Sequence, residues 1–157
     1  MLVYVLNINK QPLMPTSRFA KVRKLLKQGK AKVVKIVPFT IQLLYQTNDV
    51  IQDVTLGIDS GSKIVGVSAT TNKELYSGEF ELRNDIVKLL SEKRQYRRHR
   101  RSRKTRYRQS RFLNRKRKDN WLAPSVSQKV ESHISIVKRL KKLLPINKII
   151  VEPKSQD

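Results

Sequence analysis

Hydrophobic positions along the chain fall into short β-rich runs and stretches of helical period. Leu2 to Ile8 is rich in Val, Leu and Ile, with Val3 and Val5, and Leu6 as a further candidate, set to pack inward. The run stops at the polar Asn9-Lys10-Gln11-Pro12, so a strand is expected. After Ser17, the residues Phe19, Val22, Leu25 and Leu26 recur at helical intervals, and Gly29 stands where the left-handed residue after a helix belongs. Lys32 to Val37 and Thr40 to Gln46 are two β-rich runs divided by Pro38-Phe39, the pattern of a hairpin or bent meander. Residues 1–48 are expected to form a small β-α-β-β unit.

Three further strands are expected at Val54 to Asp59, Ile64 to Thr70 and Glu74 to Leu82. Their separators, Ser60-Gly61-Ser62-Lys63 and Thr71-Asn72-Lys73, are short and turn-rich, which points to an antiparallel meander. From Glu79 to Ala123 there is neither Gly nor Pro, which permits a long helix; Ile86, Val87, Leu89 and Leu90 can pack, and beyond Lys93 it is polar all round. Asp119 to Pro124 interrupts it. Ser125-Val126-Ser127-Gln128 matches a capping box, and Val126, Val130, Ile134, Val137, Leu140 and Leu144 form an apolar stripe, so a second helix is expected over about 125–144. After Pro145, Lys148-Ile149-Ile150-Val151 is the continuous apolar run of a strand buried on both faces, with Glu152 at its end. No internal repeat is present.

Charge changes this picture. The 157 residues allow one ordinary domain, or a small one with an appendage, and they carry 35 Lys+Arg against 12 Asp+Glu, a net +23. That balance excludes a membrane span and points to a polyanionic partner. Its distribution is uneven: residues 1–48 hold nine basic and no acidic groups, 49–92 four basic and eight acidic, 93–118 fifteen basic and none acidic, and 119–157 seven basic and four acidic. The absence of cysteine excludes a disulfide scaffold and a thiolate zinc site, and two histidines, His99 and His133, are too few for a histidine-metal nuclease module. The first apolar run is too short for a signal peptide, and a cytoplasmic or nucleoid-associated location is expected.

The acidic island is where chemistry is sought. Leu56-Gly57-Ile58-Asp59-Ser60-Gly61-Ser62-Lys63 places an Asp at the end of an apolar strand beside small residues, which let backbone and phosphate approach closely, as a metal-bound phosphate site requires. Taken alone, Asp59 can equally be a turn residue bonded to its own loop. Glu152 follows three branched aliphatics and needs a partner, a metal or solvent, because burying it bare costs several kcal/mol. If the last strand lies parallel beside 54–59, the two carboxylates sit at matching ends and can share a Mg²⁺ ion; otherwise Glu152 is simply exposed near the end of the sequence.

The third feature is Lys93 to Lys118, about 39 Å long as a helix. Arg94, Arg97, Arg101, Arg108, Arg111 and Arg115 then fall close to one side, with Arg98, Lys104 and Lys116 widening it. Arg outnumbers Lys eleven to four here, favouring bidentate phosphate contacts and stacking. A solvated helix normally mixes signs and this one has no acid, so Arg94, Arg97, Arg98, Arg100, Arg101, Arg103, Lys104, Arg106, Arg108, Arg111 and Arg115 are the nucleic-acid-binding candidates.

Pro12-Leu13-Met14-Pro15, Gly57-Ile58-Asp59-Ser60-Gly61-Ser62-Lys63, the Arg97-Arg98-His99-Arg100-Arg101 core and Val151-Glu152 occur in the order seen in the IscB family, transposon-encoded RNA-guided nucleases, which the chain resembles. The resemblance covers the whole chain and the N-terminal part of the family's length. It implies an α/β protein: a PLMP-like basic domain at 1–48, a first RuvC segment at 49–84, an arginine-rich bridge helix at 85–120 and a second RuvC segment at 121–157. Together these make an incomplete RNase H-like domain interrupted by the helix. By the same resemblance Asp59 and Glu152 are catalytic metal ligands for Mg²⁺ or Mn²⁺, and the bridge helix contacts guide RNA and the hybrid with target DNA. The family's HNH module and third RuvC segment have no counterpart in these 157 residues, so a weak metal site and binding without cleavage are expected. Two other readings compete: a basic RNA-binding protein of ribosomal type, with both carboxylates structural, and a small RuvC-type resolvase, for which Asp85, Glu92 and Asp157 are poor third ligands.

Overall fold

The computed structural model describes residues 2–48, 50–103 and 119–152. The chain opens with β1 (Val3–Leu6), and Asn7 turns it back on itself: its side-chain amide donates to Gln11 Oε1 at 3.0 Å and its Oδ1 accepts from the Gln11 N–H at 2.8 Å. The returning segment is a strand, β2 (Pro12–Thr16), so the first unit is β-β-α-β-β rather than the expected β-α-β-β. Asn9-Lys10-Gln11-Pro12 had marked the end of the first run; β2 tolerates its prolines, Pro12 and Pro15, because it is an edge strand.

Helix α1 (Phe19–Lys27) follows and ends as the sequence indicates. Gly29 has φ +67°, its N–H donates to Leu26 O at 3.2 Å, and Lys30 N–H donates to Leu25 O at 3.0 Å, the paired bonds of a Schellman cap. The hairpin of β3 (Ala31–Lys35) and β4 (Thr40–Leu43) completes a sheet of order β2-β1-β4-β3, in which β1 and β4 run parallel. Both strands are shorter than the runs that announced them. Val3, Val5, Ile41 and Leu43 pack under Val22 of α1, and every basic residue of this unit is exposed.

The second sheet is β5 (Val54–Asp59), β6 (Ile64–Thr70), β7 (Glu74–Glu81) and β8 (Ile146–Glu152), in the order β7-β6-β5-β8. β5, β6 and β7 form the expected antiparallel meander, and β8 joins β5 in parallel. Strict alternation splits this sheet in two. One face buries Val54, Leu56, Ile58, Val65, Val67 and Ala69 against Ile136, Leu140, Leu143 and Leu144, and against Tyr4 from the first sheet. The Tyr4 hydroxyl donates to Leu75 O at 3.1 Å and its ring meets Tyr76 edge-on at 6.5 Å, so Tyr4 ties the first sheet to the core of the second.

Two helices interrupt the second sheet. α2 (Ile86–Ser102) buries no side chain; Ile86 and Leu89 are half-buried, while Val87 and Leu90 are exposed, so the packing expected of its first turns is slight. α3 (Pro124–Lys141) starts one residue early, with Pro124 in its first turn, where a missing N–H costs nothing. The helix therefore begins without a side-chain cap, and the expected capping box does not form. Its apolar stripe is only half used: Leu140 is buried and Val137 packs against the core, as does Ile136, but Val126, Val130 and Ile134 are exposed. β8 departs further. As an edge strand it has one neighbour among the described residues, and Ile149, Ile150 and Val151 are 38, 49 and 54% exposed rather than buried on both faces. Among the described residues, no helix is long and apolar enough to cross a membrane.

Candidate metal and nucleic-acid site

The open face of the second sheet carries the polar residues that alternate with its core. Register puts Asp59 beside Glu152 on β8 and beside Gly66 on β6, and Gly66 beside Glu79 on β7. Directly paired residues project to the same side, so Glu79, Gly66, Asp59 and Glu152 form one row across all four strands. Asp59 and Glu152 are the two carboxylates singled out in the sequence, and they stand on adjacent strands about 4.8 Å apart at the backbone. Glu79 was not singled out; it is two strands from Asp59, and only the pairing of β6 with β7 places it in the row.

The next row inward is Ser77, Ser68, Gly57 and Ile150. Its small residues floor a shallow depression of about 420 Å³ rimmed by Asp59, Glu79 and Glu152. Gly66 contributes by what it lacks: a Cβ there would lie 3.5 Å from the Cβ of Asp59 and 3.9 Å from its Oδ2, so the Asp59 carboxylate leans over the bare backbone of β6. Beyond β5, Ser60 reaches across to β8. Its hydroxyl donates to Glu152 O at 2.9 Å and its N–H to the same oxygen at 3.4 Å.

Two exposed carboxylates offering hard oxygens suit Mg²⁺ or Mn²⁺, which bind through one or two carboxylates and keep several waters. Among the described residues, no group of three or more His, Asp or Glu side chains is arranged to hold an ion. His99 lies on α2. His133 lies on α3, where Nδ1 donates to Lys129 O at 2.8 Å and Nε2 is buried without a partner, so it sits at the core edge away from the row.

The cationic element begins directly after the meander. Arg83 donates to Asp85 through Nε at 2.6 Å and Nη2 at 3.2 Å, and this pairing, first through the hydrogen bond, holds the Asp85 carboxyl below its usual range. Asp85 precedes α2, in which seven Lys and Arg accompany the lone acid Glu92. Arg94, Arg97, Arg98 and Arg101 recur at i, i+3, i+4 and i+7 and so share one side, Arg100 points off that stripe, and Arg103 caps the helix. Lys104, Arg106, Arg108, Arg111 and Arg115 lie outside the described residues.

Fold and site together define a mixed α/β protein, with two mixed sheets and three helices among the described residues and an exposed arginine-rich helix between strands that carry paired carboxylates. The family model described as RRXRR protein matches residues 3–157, and the chain belongs to that family. Arg97-Arg98-His99-Arg100-Arg101 fits the pattern in the name. A comparison with curated proteins finds no match.

Proposed function

We propose that the chain is the N-terminal portion of an RNA-guided, Mg²⁺-dependent DNA endonuclease of the transposon-associated IscB type, in which α2 contacts guide RNA and the RNA–DNA hybrid. The observation that carries this reading is the in-register pairing of Asp59 with Glu152 at the C-terminal ends of two parallel strands. Neither carboxylate could have been placed there by local sequence preference, since 92 residues lie between them and the arginine helix is one of the intervening elements. A bound ion would supply charge neutralisation at a phosphate and a more acidic water. The chain's own residues do the rest: Asp59 and Glu152 hold one ion from adjacent strands, Gly57, Gly66 and Ser68 keep the floor low enough for a sugar-phosphate backbone, and the α2 arginines bind the phosphates. Two carboxylates bind Mg²⁺ weakly and do not fix two ions at the ~3.5–4 Å spacing of in-line displacement, so these residues alone bind without cutting.

A titration with Mn²⁺ tests this. Asp59→Ala and Glu152→Ala should each abolish site-specific paramagnetic broadening of the amides around residues 59 and 152. Broadening that survives both substitutions would instead support a basic RNA-binding protein in which the carboxylates are structural.

A further inference from the structure

The ladder between β5 and β8 contains an irregularity that decides which residue faces Asp59. It opens with Val54 opposite Ile146, but the next pair is Thr55 opposite Lys148, so β8 spends one extra residue, Asn147. Had the first pairing continued, Asp59 would stand opposite Val151. A one-residue shift exchanges the two faces of a strand, so Glu152 would also turn toward the core side of the sheet.

Two side-chain contacts bracket this ladder. At its start the Asn147 amide donates to Asp53 Oδ1 at 2.7 Å, tying the bulged residue to the residue just before β5. At its end Ser60 donates twice to the carbonyl of Glu152, at 2.9 Å from the hydroxyl and 3.4 Å from the N–H, extending the pairing one step past Asp59. Because Ser60 engages the main-chain oxygen, the Glu152 carboxylate is left to face the open side. We infer that Asn147 and Ser60 are positioning residues, clamping β8 in the one register that puts Glu152 beside Asp59; this rests on the metal-pair reading above. Both contacts are solvent-exposed and join segments 94 and 92 residues apart, on an edge strand with no second neighbour among the described residues. Exposed hydrogen bonds add little to global stability, so their effect is local placement.

The test uses the 157-residue chain with Mn²⁺ alone as the probe. Bound ion is counted by electron paramagnetic resonance, and backbone nuclear Overhauser contacts across β5 and β8 are followed without metal. Ser60→Ala and Asn147→Ala should each weaken Mn²⁺ binding about 10-fold, the usual scale for residues that orient metal ligands from outside. Ser60→Thr, which keeps the hydroxyl, should bind as the parent does, and melting temperatures should not move. In the double variant, contacts linking Asp59 with Glu152 should give way to contacts with Val151. Parent-like affinity and intact contacts in Ser60→Ala and Asn147→Ala, alongside loss of binding in Asp59→Asn, would overturn the clamp and leave the metal pair standing. A loss of affinity that Ser60→Thr shares, with a lowered melting temperature, is general destabilisation and overturns it equally. Binding that survives Asp59→Asn defeats the metal pair itself.

Discussion

Replacing Arg94, Arg97, Arg98 and Arg101 together by Ala removes four positive charges from one side of α2 while touching no core, since that helix buries no side chain. Ala is the strongest helix former, so the helix itself is not weakened. If each guanidinium meets one phosphate, the slope of log affinity against log salt becomes shallower by about 3.6 on a duplex, at roughly 0.9 per contact, and by about 2.8 on a single strand. Over a rise from about 50 to 200 mM salt, the parent chain should lose about 150-fold more duplex affinity than the variant. Fluorescence anisotropy of a labelled RNA–DNA hybrid across a salt series measures both slopes. Arg100→Ala, off the stripe, should change the slope by no more than about one contact's worth. A slope unchanged in the quadruple variant would refute phosphate binding by this face of α2, whatever happens to affinity at a single salt concentration.

Three outcomes bear on the scaffold. Burial, and after it the neighbouring Tyr76, pushes the Tyr4 phenol above its ordinary value of 10.0. The stability from keeping that phenol neutral is therefore fully present below pH 10 and is lost as pH rises through the folded-state value. Alkaline chemical denaturation should show this loss in the parent and not in Tyr4→Phe, which itself should cost about 1 kcal/mol at neutral pH through the orphaned Leu75 carbonyl. Leu144→Ala, at a fully buried position between α3 and β8, should cost about 3 kcal/mol in urea unfolding. Gly61→Ala should be far more damaging than Gly57→Ala, because a Cβ at 61 overlaps the Ile64 carbonyl, whereas at 57 it meets only Ser68 O at 3.7 Å; thermal melts of the two variants compare them.

Much of the second sheet was legible because its signals are local. Leu56, Ile58, Val65, Val67 and Ala69 alternate with small or polar residues, and the observed bounds of β5 and β6 match those expected. Gly29 marked its helix end for an equally local reason, a positive φ. What was misread depends on neighbours that local sequence does not encode. Ile149, Ile150 and Val151 read as a strand covered on both sides, yet cover is set by the strands and helices alongside, and β8 has one partner among the described residues. Pro12 read as part of a stop although an edge position accommodates it. Ser125 read as a cap because the turn-forming power of Pro124 outweighed its value as a first helical residue. In the candidate site, Asp59 and Glu152 stood out as acids closing apolar runs. Glu79, Ser60 and Asn147 did not, because their relevance arises only from register between strands distant in sequence.

The parallel pairing of β5 with β8 also sets an order of events as the chain is made. The meander can close once residue 81 is available, but β5 stays an open edge until residue 152 exists, and such an edge invites pairing with another chain. The stretch made in that interval includes 93–118, with fifteen positive charges and no negative ones. Half-made copies therefore repel one another strongly during the period in which they have an unprotected strand to share, so the charge of 93–118 works against edge-to-edge pairing of unfinished chains.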